Sequence, residues 1–162
     1  VWACPAHYYT NFTYWTQHCW GVTCVNDMEA MLSYLPITIG DKEQALADLV
    51  RCYEKMMMRS HTNGGYVNLL DECWKMCEKF NVNIVIMYDH VSCKNVGGLH
   101  GLFEDQARER GIHLIWVPHD VMDPRTVSRR EMREAFNQYM ITVLREEPLD
   151  PTLLDYEDAL SW

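Results

Sequence analysis

The chain has 162 residues, 48% of them apolar, and a formal net charge of −9. That length suffices for one ordinary domain with a sizeable core, and the acidic balance argues against a phosphate-backbone binder, which needs clustered Lys and Arg. No apolar run approaches the roughly 20 residues that span a bilayer and no signal-peptide pattern is present, so a soluble, cytoplasmic protein is expected.

In chain order, residues 1–4 (Val-Trp-Ala-Cys) read as a strand interior. From so abrupt a start, without a methionine, the chain is expected to be the C-terminal piece of a longer polypeptide. Pro5 turns it into an aromatic-rich helix over about 8–20, which Gly21 ends, and residues 22–25 (Val-Thr-Cys-Val) read as a second strand. After an irregular stretch to Pro36, Asp41 N-caps a helix to about residue 58, with Gln44 as its capping-box partner. Residues 60–65 carry turn chemistry.

A helix over 66–80 places Leu69, Leu70, Cys73, Trp74 and Cys77 on one apolar side. The four-residue spacing of Cys73 and Cys77 would suit a metal, but their apolar company makes them small core residues. The third strand, 83–87, runs into Tyr88-Asp89-His90-Val91-Ser92-Cys93-Lys94. Residues 98–110 are helical, Gly111 breaks that helix, and 112–117 form a fourth strand with Trp116 expected in the core. Ser128 N-caps the last long helix, 129–144, whose apolar Met132, Phe136, Tyr139, Met140 and Val143 recur at three and four. Arg125, Arg129, Arg130 and Arg133, interleaved with acids, read as a solvated face. The domain spans 1–146, and 147–162 is an acidic, proline-punctuated tail.

Strands alternating with helices predict an α/β domain, a four-stranded parallel sheet covered on both faces with right-handed connections. The order 2-1-3-4 would put a switch point between strands one and three, where the loop at Pro5-Ala6-His7 faces the loop carrying Cys93. The seven cysteines, Cys4, Cys19, Cys24, Cys52, Cys73, Cys77 and Cys93, are odd in number and lack the spacing of a disulfide framework. With ten methionines and six tryptophans they suit a reduced, oxygen-poor compartment. No CxxC pair occurs, so zinc-ribbon and thioredoxin readings fail.

Cys93 therefore stands where open α/β sheets place their ligands. A helix N-terminus and the neighbouring Lys94 would both lower its pKa, and loop N–H groups could hydrogen-bond the sulfur. A single thiolate cannot hold a cluster, so further ligands would come from outside the segment. No GxGxxG or GxxxxGK[ST] is present, which makes a bound nucleotide unexpected. A metal-free thiol enzyme built on Cys93 with His90 or His100 is the competing reading, and it needs a base within hydrogen-bond reach.

The chain resembles the C-terminal domain of the benzoyl-CoA reductase and 2-hydroxyacyl-CoA dehydratase family. The resemblance rests on the Val-Ser-Cys93-Lys loop after an apolar strand and on Arg110-Gly111-Ile112 leading through a strand to Val117-Pro118-His119-Asp120. It continues through Met122-Asp123-Pro124-Arg125 and a Ser128-capped helix with Arg133, Phe136 and Asn137. Glu147-Pro148-Leu149-Asp150-Pro151 is most similar to the benzoyl-CoA reductase branch. His113 stands where many members have Pro.

The resemblance implies a flavodoxin-like, three-layer domain of a cluster-bearing subunit. It implies a [4Fe-4S] cluster held by three cysteines, with Cys93 as this segment's ligand and His90, Ser92 and Lys94 as neighbours of the cofactor. It assigns no catalytic residue. As partners it implies a homologous second subunit, an ATP-hydrolysing iron-sulfur electron donor, and an aromatic or 2-hydroxy acyl-CoA substrate. The reaction would be reduction of a thioester-activated ring, or alternatively dehydration of an (R)-2-hydroxyacyl-CoA. A non-catalytic flavodoxin-like interaction domain is the reading from a different class.

Overall fold

The computed structural model describes residues 11–28, 35–56, 59, 64–120, 123 and 125–155. The elements in chain order are α1 (Phe12–Trp20), α2 (Lys42–Glu54), α3 (Tyr66–Phe80), β1 (Ile84–His90), α4 (Lys94–Gly97), α5 (His100–Arg110), β2 (His113–His119) and α6 (Arg129–Tyr139). A π-helical turn, Met140–Leu144, extends α6, and a short 3-10 turn covers Pro151–Leu153.

Local chemistry explains most boundaries. Asp41 caps α2, its Oδ1 accepting the amides of Glu43 and Gln44 at 3.1 Å each. The Gln44 side chain does not close a capping box; its amide donates to Asp48 instead, at 2.9 Å. Ser128 and Glu131 do form one at the start of α6. Gly111, at φ 66°, ends α5 in a left-handed turn that a side chain would strain.

β1 and β2 pair in parallel, from Ile84 opposite His113 to His90 opposite His119. These are the third and fourth strands expected from the sequence, each running past its expected end, so that His90 and His119 close the strands. Among the described residues the sheet has these two strands. The expected first strand, residues 1–4, and the Pro5-Ala6-His7 loop lie outside the described residues.

Residues 22–25 form no strand, which corrects that expectation. Only Val22 packs on the core, and Val25 is 55% exposed. β-branched residues favour a half-buried pleated surface, and a stretch this exposed lacks one. The helix expected over 98–110 is α5, which begins at His100, and the separate turn α4 precedes it.

Successive side chains alternate between the faces of the sheet, and ring contacts show what covers each. The Tyr88 ring meets Phe12 of α1 edge-on at 5.8 Å, and Phe12 meets Phe136 of α6 at 5.7 Å. On the opposite face Trp116 packs against Phe103 of α5 at 6.2 Å, and Phe103 against Trp74 of α3 at 5.8 Å. Helices thus cover both faces. Trp116 is half-buried rather than enclosed, with His100 stacked on its indole.

The core joins these layers: Phe12, Trp15, Leu69, Trp74, Ile115, Val117 and Phe136 are all buried in it. Cys73 and Cys77 are core residues, as their apolar company indicated. Arg133 is 5% exposed, so it leaves the solvated face expected of the arginines, whereas Arg125 and Arg130 occupy it. The start of the tail packs back on α1: the Trp15 indole donates to the Leu153 carbonyl at 2.8 Å, and the Leu149 amide to the Cys19 carbonyl at 2.7 Å. No helix among the described residues is long and apolar enough to cross a membrane.

Candidate functional site at the carboxyl ends of the strands

The parallel register brings Asp89 and His90 at the end of β1 beside Pro118, His119 and Asp120 at the end of β2. From here the chain leaves β1 into the Cys93 loop. The Val91 amide donates to the His119 carbonyl at 3.1 Å, carrying the sheet pattern one residue further. The Cys93 amide then turns back to the His90 carbonyl at 2.8 Å, and the Lys94 amide to the Ser92 carbonyl at 3.2 Å. Cys93 is the N-terminal flanking residue of α4 and its thiol is free and half-buried, while Ser92 and Lys94 are exposed.

Two histidine–carboxylate contacts stand at the base of the loop. His90 Nε2 lies 3.6 Å from Asp120 Oδ1, and both side chains are 10% exposed. His100, at the start of α5, lies 3.3 Å from Asp89 Oδ1 and stacks on Trp116 with ring centroids 3.6 Å apart. Because neighbouring residues point to opposite faces, Asp89 and His90 tie the strand end to different layers.

Under the loop sits His119, completely buried, with its ring 5.1 Å from that of His90 and 5.4 Å from that of Tyr88. Burial, and then the neighbouring His90, push its pKa down to about 4, against an opposing pull from Asp120 and Asp89. His119 is therefore a neutral imidazole at physiological pH.

Of the residues expected from the sequence, Cys93, Ser92, Lys94 and His90 share one loop and strand end. His90 and His100 are committed elsewhere, to Ser92 and Asp120 and to Trp116 and Asp89. His119 and the Asp89–His100 pair are site groups that the sequence did not single out. The available signal was that both apolar strands end in a polar pair, Asp89-His90 and His119-Asp120, which parallel pairing then sets side by side.

The thiol chemistry bears on a cluster directly. Among the described residues no group of three or more Cys, His, Asp or Glu side chains could hold a metal ion. Cys19, Cys73 and Cys77 are buried in the core. Cys73, hydrogen-bonded to Cys77 and desolvated, is held protonated well above the ordinary thiol range. With Cys24 the pair lines a cavity of about 360 Å³ beside Ile84 and Ile86, towards the amino end of β1 and away from Cys93. The donor set at the strand ends suits one ligand of a shared cluster rather than a whole one.

A family model described as 2-hydroxyglutaryl-CoA dehydratase, D-component, matches residues 1–140. No curated protein and no solved structure matches the chain.

Proposed function

The chain belongs to the 2-hydroxyglutaryl-CoA dehydratase D-component family, and on that premise we propose that it contributes one thiolate ligand, Cys93, to a [4Fe-4S] cluster in an acyl-CoA-transforming enzyme subunit. Residues 1–146 would be a flavodoxin-like domain of that larger subunit, and 147–162 its tail. The observation that carries the reading is a half-buried free thiol in the loop that leaves a parallel strand at its carboxyl end.

The chemistry such a cluster supplies when bound is single-electron transfer at low potential to a thioester-activated acyl group. The chain's own residues do simpler work. Cys93 supplies sulfur from the residue that flanks the short turn α4. Lys94, the next residue, is exposed. The Ser92, Cys93 and Lys94 amides are spent within the loop and on His90, so they order it rather than bond the sulfur. Its partners would be a homologous second subunit, an ATP-hydrolysing iron-sulfur donor and an acyl-CoA.

Two reactions fit this scaffold. Reduction of a benzoyl-CoA-type ring is the reading that the Glu147-Pro148-Leu149-Asp150-Pro151 tail favours. Loss of water from an (R)-2-hydroxyacyl-CoA is favoured by the family description itself.

The test is iron and acid-labile sulfide analysis of the complete subunit, purified without oxygen, alongside its Cys93→Ser variant. The variant should fold and melt like the wild type but hold less than half of its iron. Equal iron in both proteins would remove Cys93 from the ligand set, and absence of iron from the wild type would favour a non-catalytic interaction domain.

A further inference from the structure

We propose that His90 is a positioning residue that holds the Cys93 loop in one conformation, with Asp120 fixing the imidazole from the neighbouring strand. The proposal deepens the reading of Cys93 above and rests on it for its functional meaning, though the geometry stands by itself.

Contacts with Ser92, Asp120 and His119 hold the His90 side chain. Its Nδ1 accepts the Ser92 amide at 3.1 Å and lies 2.9 Å from Ser92 Oγ. An Nδ1 that accepts an amide hydrogen carries no proton, so the proton of the neutral ring belongs on Nε2. Nε2 faces Asp120 Oδ1 at 3.6 Å. That carboxylate oxygen also accepts the Asp123 amide at 3.2 Å, which holds it in place after β2. The completely buried His119 ring stands edge-on at 5.1 Å and limits rotation of the imidazole.

The His90 backbone takes part as well, its carbonyl accepting the Cys93 amide at 2.8 Å. Two successive loop amides, those of Ser92 and Cys93, therefore terminate on one residue. A turn alone would be served by Asn or Asp at this position, whose side chains reach an amide two residues on. Only a ring with nitrogens on opposite sides reaches both that amide and the Asp120 carboxylate just past β2. This is why the position carries an imidazole, and why the loop is referenced to the sheet rather than merely turned.

The experiment measures iodoacetamide alkylation rates of individual cysteines in the full chain, mapped by peptide mass spectrometry, for wild type, His90→Ala, His90→Asn and Asp120→Asn. His90→Ala should raise the Cys93 rate about tenfold, the effect of losing one net hydrogen bond that orders the loop. The buried Cys19, Cys73 and Cys77 should stay at their wild-type rates. His90→Asn keeps the acceptor for Ser92 but loses the reach to Asp120. It should therefore fall between wild type and His90→Ala, as should Asp120→Asn.

An unchanged Cys93 rate in His90→Ala overturns the proposal. A common rise at all four thiols also overturns it, because general destabilisation would then be the cause. If His90→Ala does not fold, the paired Asn variants carry the same comparison. Cluster content plays no part in this readout, so an iron analysis that fails beside a confirmed loop effect would sink the functional reading alone.

Discussion

Acidification should charge a side chain that the fold has sealed away. His119 is completely buried against Tyr88 and His90, and its folded pKa is about 4 against an unfolded value of 6.5. The folded state therefore binds fewer protons than the unfolded state between those values, and stability falls as pH drops through this window. Above pH 6.5 the neutral ring imposes no such penalty. Below pH 4 both states are protonated and the loss is complete. A depression of this size corresponds to about 3 kcal/mol.

Carboxylates titrate in the same range, so the effect is best read as a difference. Urea unfolding of wild type and His119→Gln between pH 7.5 and 4 separates the two contributions, since the carboxylates are common to both proteins. The wild type should lose about 3 kcal/mol more than the variant over this range. Parallel stability curves for the two proteins would refute the reasoning and mean that water or a carboxylate reaches the His119 ring.

Two further substitutions probe the fold. Phe103→Ala removes a completely buried ring that joins Trp74 of α3 to Trp116 of β2, and should cost about 3–5 kcal/mol in chemical denaturation. Ser128→Ala deletes the hydroxyl that accepts the Glu131 amide at 3.1 Å and should cost about 1 kcal/mol, read from the same denaturation curves.

Features set by neighbours along the chain were legible in the residues. The apolar stripe of Leu69, Leu70, Cys73, Trp74 and Cys77 is the buried face of α3, and Ser128 and Asp41 cap the helices that follow them. Gly111 ends α5 where expected. Parallel pairing of the two apolar strands was also legible, since a helix lies between them. The Val-Thr-Cys-Val stretch misled, because β-propensity describes a surface that neighbours must supply, and at residues 22–25 they do not.

The sequence by itself determined the helix faces, their caps and the strand on which the Cys93 loop begins, because those depend on spacings of a few residues. Only the tertiary structure decided that His90 would face Asp120, that His119 would be sealed beneath them, and that Arg133 would leave the solvent. Those outcomes depend on register and on layer packing between segments about thirty residues apart. No local pattern encodes which polar groups two strand ends will share.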